Sequence, residues 1–272
     1  QYDSTPSSIS STPLNSNLNS PSQSTTSLTS LNQTLDKLEI SPITNNLQAL
    51  KEAKTISDVK TEINSIVDSI NENGISSLEE WKIEEIISKL IKPKNPALVR
   101  EGGFVMISSI VRKFSGQTPK EAYFLTFLSI ALDGLADKEN NVKRASQAAI
   151  DSIYGSYPIE ALASIVLVEI LKYLKSSAKW QSKVGALKLV DKIVEDSPGD
   201  LIELKFKEAV PVLTDVSVDF KPELAKVGLK TMSTFVKVLD NLDLQPRYDM
   251  IISTLADPNK VPDCIKSLSS VT

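Results

Sequence analysis

The stretch SAKWQSKVGALKLVDKIVEDSP, residues 177–198, decides how the chain is read. Trp180, Val184, Leu187, Val190 and Val194 recur at steps of three and four, so they fall on one side of an α-helix. Ala186, Leu189 and Ile193 widen that side, and Lys183, Lys188, Asp191, Lys192 and Glu195 take the remainder. A stripe this wide belongs to a helix packed against two or more neighbours. Ser176 or Ser177 is expected to cap its start. Ser197-Pro198 is expected to end it, because the residue before a proline is pushed out of the helical region.

Working outward, three further stretches carry the same pattern: PALVREGGFVMISSIVRKF (96–114), NNVKRASQAAIDSIYGSYP (140–158) and PELAKVGLKTMSTFVKVLD (222–240). The small residues near their starts, Gly102, Ala145, Gly185 and Gly228, are 43, 40 and 43 residues apart. Eight positions after each stands Ile110, Ile153, Ile193 or Val236. Another helical run, over 118–136, 157–176 and 201–218, precedes each of the last three. The unit is two helices in about 40 residues, the period of HEAT-type repeats. Glycine costs a helix stability, so its recurrence points to close approach of the paired helix. Such units hide their apolar faces only by stacking on one another. The fold expected is all-α, a HEAT-repeat α-solenoid over residues 45–272, with 45–73 and 76–92 as a less regular first pair and 245–256 and 261–271 as a last one. Residues 1–44 read as a Ser/Thr/Asn/Pro-rich tail. Gln1 to Asn32 carries one charge, Asp3, and too few apolar residues to offset the entropy of ordering, so disorder is expected. The same composition is prion-like or that of a plain linker, and residues 31–40 suit a short helix.

Composition bounds the chemistry. The 272 residues hold 30 Lys and Arg against 34 Asp and Glu, a formal charge of −4, which excludes a uniformly basic nucleic-acid coat but leaves room for a local patch. There is no histidine and one cysteine, Cys264. That removes the commonest catalytic base, any Ser-His or Cys-His pair, a cysteine zinc site and an intrachain disulfide. No G-x-x-x-x-G-K-[ST] or G-x-G-x-x-G run is present. Glu79-Glu80 and Glu84-Glu85 read as solvated helix faces, Trp81 and Trp180 as partly buried anchors, and Cys264 as a small core residue. The longest apolar run, about residues 161–168, ends at Glu169, well short of the ~20 residues a spanning helix needs. A chain that opens on Gln1, without initiator methionine or signal-peptide pattern, is expected to be part of a longer protein.

One charge feature stands out. KYLKSSAKWQSKVGALK, residues 172–188, holds five lysines and no acid. Lys172 and Lys175 close one helix of a pair, and Lys179 and Lys183 open the next. Lys138, Lys143 and Arg144 occupy the matching place one repeat earlier. Over residues 137–192 there are nine basic residues and six acidic ones in a chain that is net negative. These residues read as a basic rim suited to RNA phosphates, or as ordinary solvated lysines, those at helix C-termini favoured by the macrodipole.

AKWQSKVGALKLVDKIVE (178–195), LIELKFKEAVPVLTDVSVDFKPELAKVGLKTM (201–232) and YDMIISTLADPNKVPDCIKSLSSVT (248–272) resemble the N-terminal HEAT region of the fungal elongation factor three family, ribosome-associated ATPases with tandem ABC cassettes. The A-K-W-Q-x-K start and the A-D-P-x-x-V-P ending, residues 256–262, are the most specific matches. The resemblance covers about residues 79–272. The Ser/Asn-rich N-terminus departs from the short one of the family, which suggests a paralogue with a prion-like tail. The resemblance implies a cytoplasmic protein acting on the ribosome in elongation or a related late step. This region would dock non-catalytically on rRNA and ribosomal proteins, while ATP and Mg²⁺ would belong to cassettes outside it. No membrane or small-molecule partner is implied here. Another class remains open, a protein-binding HEAT scaffold such as a tubulin-binding array, which Trp81 in EEWKIEEI (79–86) would suit.

Overall fold

The computed structural model describes residues 42–117, 121–238 and 248–260, and these residues form helices and turns with no strand among them. In chain order the elements are α1 (Thr44–Glu52), α2 (Ile56–Asn73), α3 (Ser77–Glu80), α4 (Ile83–Leu90), α5 (Ala97–Phe114), α6 (Glu121–Phe124), α7 (Thr126–Gly134) and α8 (Asn140–Gly155). Then follow α9 (Ile159–Ala161), a π-helical segment (Leu162–Val166), α10 (Leu167–Leu174), α11 (Trp180–Asp196), α12 (Gly199–Glu203), α13 (Phe206–Ser217), α14 (Pro222–Lys237), α15 (Tyr248–Ala256) and a 3₁₀ turn (Pro258–Lys260).

Local chemistry sets these bounds. Thr55 and Asp58 form a capping box at the start of α2, each side chain accepting the other's backbone N–H at 3.2 and 3.1 Å. Gly74, at φ +83°, ends that helix where a side chain would be strained. Pro222 opens α14, where its fixed φ suits the first turn. In α11, Ser197 leaves the helical region ahead of Pro198, as the sequence requires. The serines do not cap α11: its N-cap is Lys179, without a side-chain bond, and the Ser176 hydroxyl instead accepts from the Ala178 amide at 3.3 Å.

Helices pair as α1/α2, α4/α5, α7/α8, α10/α11 and α13/α14, and each pair rests on the next. The second helices pack α2 on α5, α5 on α8, and α11 on α14. Ile63, Ile110, Ile153, Ile193 and Phe235 lie along this layer, none accessible to solvent. Each such side chain contributes roughly 1.5–3 kcal/mol by leaving water. The joint between α8 and α11 is thinner: α11 leans instead on α7 and the π segment, and long side chains bridge to α8. There the Tyr154 hydroxyl donates to Asp196, and Lys192 Nζ sits 3.9 Å above the Tyr154 ring.

Three expectations are corrected. Residues 45–73 are two helices, so α1/α2 is a pair by itself and α4 is the missing partner of α5. The runs 118–136 and 201–218 are each broken, near Leu125 and Leu204. The aligned small residues do not share one neighbour. A Cβ on Gly228 would stand 3.1 Å from the Val216–Ser217 backbone of its paired helix. One on Gly102 would meet Val59 of the preceding α2 at 2.9 Å, and one on Gly185 would run into Leu135. Ile43, just ahead of α1, is fully buried. The Ser/Asn-rich stretch 1–32, the 31–40 helix and Cys264 lie outside the described residues.

Gly134 shows how tight the packing is: a Cβ there would strike the buried Phe104 ring and come within 2.7 Å of Ser146 Oγ. Gly134→Ala is expected to cost about 1–3 kcal/mol in urea unfolding through overpacking. Gly155→Ala, in open space at the end of α8, is expected to gain a few tenths to about 1 kcal/mol.

Candidate functional site

The turns inside successive helix pairs, residues 91–96, 135–139 and 175–179, meet around a groove of 680 Å³ whose wall includes Lys92, Asp133, Asp137, Tyr173, Ser177 and Lys179. Small side chains make the room: Gly134, Ser129 and Ser182 face it from α7 and α11.

A buried ion pair ties the first two turns together. The Arg100 guanidinium, 3% exposed, donates from Nε and Nη2 to the two Asp137 carboxylate oxygens, each at 2.9 Å. Its Nη1 donates to the Asn95 carbonyl at 2.5 Å. The Asn95 side chain in turn donates to the carbonyls of Lys89 and Leu90 at 2.8 and 2.7 Å, so the end of α4 is fixed as well. Burial raises the Asp137 pKa, but the hydrogen bonds from Arg100 and the Glu139 amide outweigh it and leave it below the usual carboxylate value. The third turn is tied through Tyr173, whose hydroxyl donates to Asp133 at 2.5 Å. Burial first, then that carboxylate, push the Tyr173 hydroxyl up. Asp133 and Asp137 are thus both engaged within the fold.

The seven basic residues picked from sequence are placed unequally. Lys179 lines the groove, and exposed Lys138 and Lys175 stand in turns that bound it. Lys143 is half-buried and Arg144 exposed in the opening of α8; Lys183 is half-buried one turn into α11. Lys172 is spent on Glu169, Nζ to Oε2 3.1 Å. Among the described residues, no carboxylate lies within salt-bridge distance of the other six. The second helices α5, α8 and α11 all begin at this edge without an acid in the first turn. A cation beside the positive end of a helix dipole works against the helix by roughly 0.3–1 kcal/mol, so Lys179 and Lys183 do not serve α11, whereas Lys175, at the C-cap of α10, is favoured by that helix's dipole.

Lys92 was missed in the sequence because its turn was not aligned with the others, although the IKPKNP stretch (91–96) carries the same turn chemistry. Trp81 is half-buried between α3 and α4, at the end of α4 away from the groove. Trp180, half-buried at the start of α11, sits at the edge itself, with Lys221 Nζ 5.2 Å from its ring centre. Among the described residues there is no group of three or more His, Cys, Asp or Glu placed to hold a metal ion, and no helix long and apolar enough to cross a membrane.

Fold and edge together define an all-α HEAT solenoid whose intra-pair turns gather along one groove. Residues 59–232 match the EF3 N-terminal HEAT repeat family, and the chain belongs to that family. It is 56% identical over 96% of its length to [NU+] prion formation protein 1 of Saccharomyces cerevisiae, of which it covers 22%. It is 26% identical over 83% of its length to mRNA export factor elf1 of Schizosaccharomyces pombe, covering 21% of it, and 28% identical over 75% to elongation factor 3 of Gonapodya prolifera, covering 18%. The chain thus spans about a fifth of these relatives. A chain solved in a study of microtubule plus-end tracking by XMAP215, CLIP-170 and EB1 shares the fold, with TM-score 0.54 and 16% identity over 86% of this chain and 96% of that one.

Asp137→Asn leaves a buried guanidinium without its counter-charge and is expected to cost about 3–5 kcal/mol in urea unfolding at pH 7. Because the folded pKa is depressed, the Asp137 contribution is complete above the unfolded value of ~3.9 and fades as pH falls through the lower folded value. The gap between wild type and variant is therefore expected to narrow below about pH 4.

Proposed function

We propose that this chain is a non-catalytic docking module of a cytoplasmic translation factor, and that it holds the factor on the ribosome through rRNA phosphates and ribosomal protein at the turn edge. The observation that carries the reading is the set of exposed, unpaired lysines, Lys138, Lys175 and Lys179, standing in adjoining turns beside the start of α8, whose N-cap is Glu139, and the start of α11, which has no acid in its cap or first turn. Lys143, Arg144 and Lys183 extend the positive charge along the same helix ends, and Lys172 adds little because Glu169 offsets it. Phosphate oxygens suit such an edge: they accept from ammonium groups and are favoured at helix N-termini. Membership of the EF3 N-terminal HEAT family supports a role in translation. In the intact protein, ATP and Mg²⁺ would be held by cassettes outside these residues, and the chain's own part is to bind and orient.

A second reading, a scaffold for tubulin, draws on the fold shared with the microtubule plus-end tracking protein. The two differ in salt dependence and in partner. Replacing Lys138, Lys175 and Lys179 by Glu is expected to lower co-sedimentation with ribosomes at least tenfold with helical circular dichroism unchanged. Wild-type affinity is expected to fall steeply with added salt, by about 0.7–0.9 in log–log slope for each phosphate contacted. Unchanged sedimentation of the triple variant, or binding indifferent to salt, would sink the phosphate reading. Pelleting with microtubules and not with ribosomes would favour the scaffold.

A further inference from the structure

The turn inside the α13/α14 pair ends in a feature that packing does not explain. Phe220 is 95% exposed, the most exposed of the large apolar residues among those described, and Val218 beside it is 59% exposed. A single exposed apolar residue needs no explanation. This one stands apart in how it is held and in what adjoins it.

The tip is fixed on both sides of the ring. The Asp219 amide donates to the Val216 carbonyl at 3.2 Å, and the Asp219 side chain accepts the Lys221 amide at 2.8 Å. Pro222 then starts α14. The backbone that carries Phe220 is thus ordered, so binding would cost the ring its rotamer freedom and little more. The charges around it are accounted for: Asp219 is engaged by the backbone, and Glu223 faces Lys221 at 3.7 Å. Lys221 also reaches over Trp180, the residue that follows Lys179. The Phe220 turn therefore reaches the start of α11, where Trp180 follows Lys179, and the same edge carries an open aromatic ring and unpaired ammonium groups.

We propose that Phe220 is a stacking platform for an unpaired nucleobase of RNA, with Lys175 and Lys179 contacting the phosphates of the same strand. The inference rests on the docking function proposed above and adds the form of RNA recognised. Paired A-form RNA offers phosphates but keeps its base faces inside the stack, whereas a loop, bulge or splayed nucleotide offers both. A lysine edge alone would not tell the two apart.

Because Phe220 buries almost nothing, Phe220→Ala is expected to keep the wild-type unfolding midpoint, which separates binding from folding. The probes are a fluorescein-labelled oligouridylate and an abasic strand of equal length and charge. Wild type is expected to prefer the oligouridylate. Phe220→Ala is expected to bind it about tenfold more weakly, with the salt slope unchanged and the abasic strand bound as before, and Phe220→Trp is expected to restore affinity. Lys175→Ala with Lys179→Ala is expected to weaken both strands and lower the slope. Equal binding of the oligouridylate by wild type and Phe220→Ala, with the lysine variants still impaired, would overturn stacking while docking stands. Failure of wild type to bind either strand would overturn both. Loss of tubulin binding in Phe220→Ala with RNA binding intact would assign the ring to a protein partner and overturn stacking.

Discussion

Each helix pair carries apolar residues on two sides, and its own partner can cover only one. The second side has to be hidden by the adjoining pair, and this constraint orders the structure. It explains why Ile63, Ile110, Ile153, Ile193 and Phe235, far apart in sequence, share one dry layer. It also explains the intolerance at Gly134, where one added methyl group would strike Phe104 and crowd Ser146 across two helices.

Stacking in this way fixes what lies at the ends of the helices. When pairs are laid side by side, their internal turns fall in a row, and residues about 40 apart in the chain become neighbours. Arg100 and Asp137 exploit that row, joining one turn to the next through two 2.9 Å hydrogen bonds. Tyr173 and Asp133 repeat the device one pair further on. The carboxylates of the edge are drawn into these internal ties, whereas Lys138, Lys175 and Lys179 are left facing water. Asp137 is neutralised by Arg100, while Asp133 keeps its charge on the groove wall beneath the lysines.

The helical period and the repeat spacing were legible because apolar periodicity is a property of the chain itself: Trp180 through Val194 fall on one side whatever they pack against. Stops were legible too, since Pro198 acts on its neighbour locally. The pairing of α4 with α5 was not, because the α4 segment is short and α3 precedes it with Lys82 at φ +52° between them, a break that no glycine or proline announces. Nor could spacing say which neighbour each small residue meets. Gly102, Gly185 and Gly228 align in sequence yet face a preceding helix, a helix end and a partner backbone. For the candidate site, the lysine cluster was visible as composition and the engagement of Lys172 by Glu169, three residues before it on one helix, was open to the same reading, while the groove and the exposure of Phe220 belong to tertiary placement. An exposed phenylalanine and a buried one look alike in a sequence.

The thin joint between α8 and α11 has a mechanical consequence. In a stacked array, rigidity is passed from each layer only to the next. Where α8 and α11 meet through Tyr154, Asp196 and Lys192, and Leu135 against Gly185 supplies the aliphatic contact from α7, resistance to bending is expected to be lower. The array is therefore expected to bend at this joint before it bends at the others. The groove lies across that joint, bounded by turns from both sides, so a change in the angle there is expected to change its width.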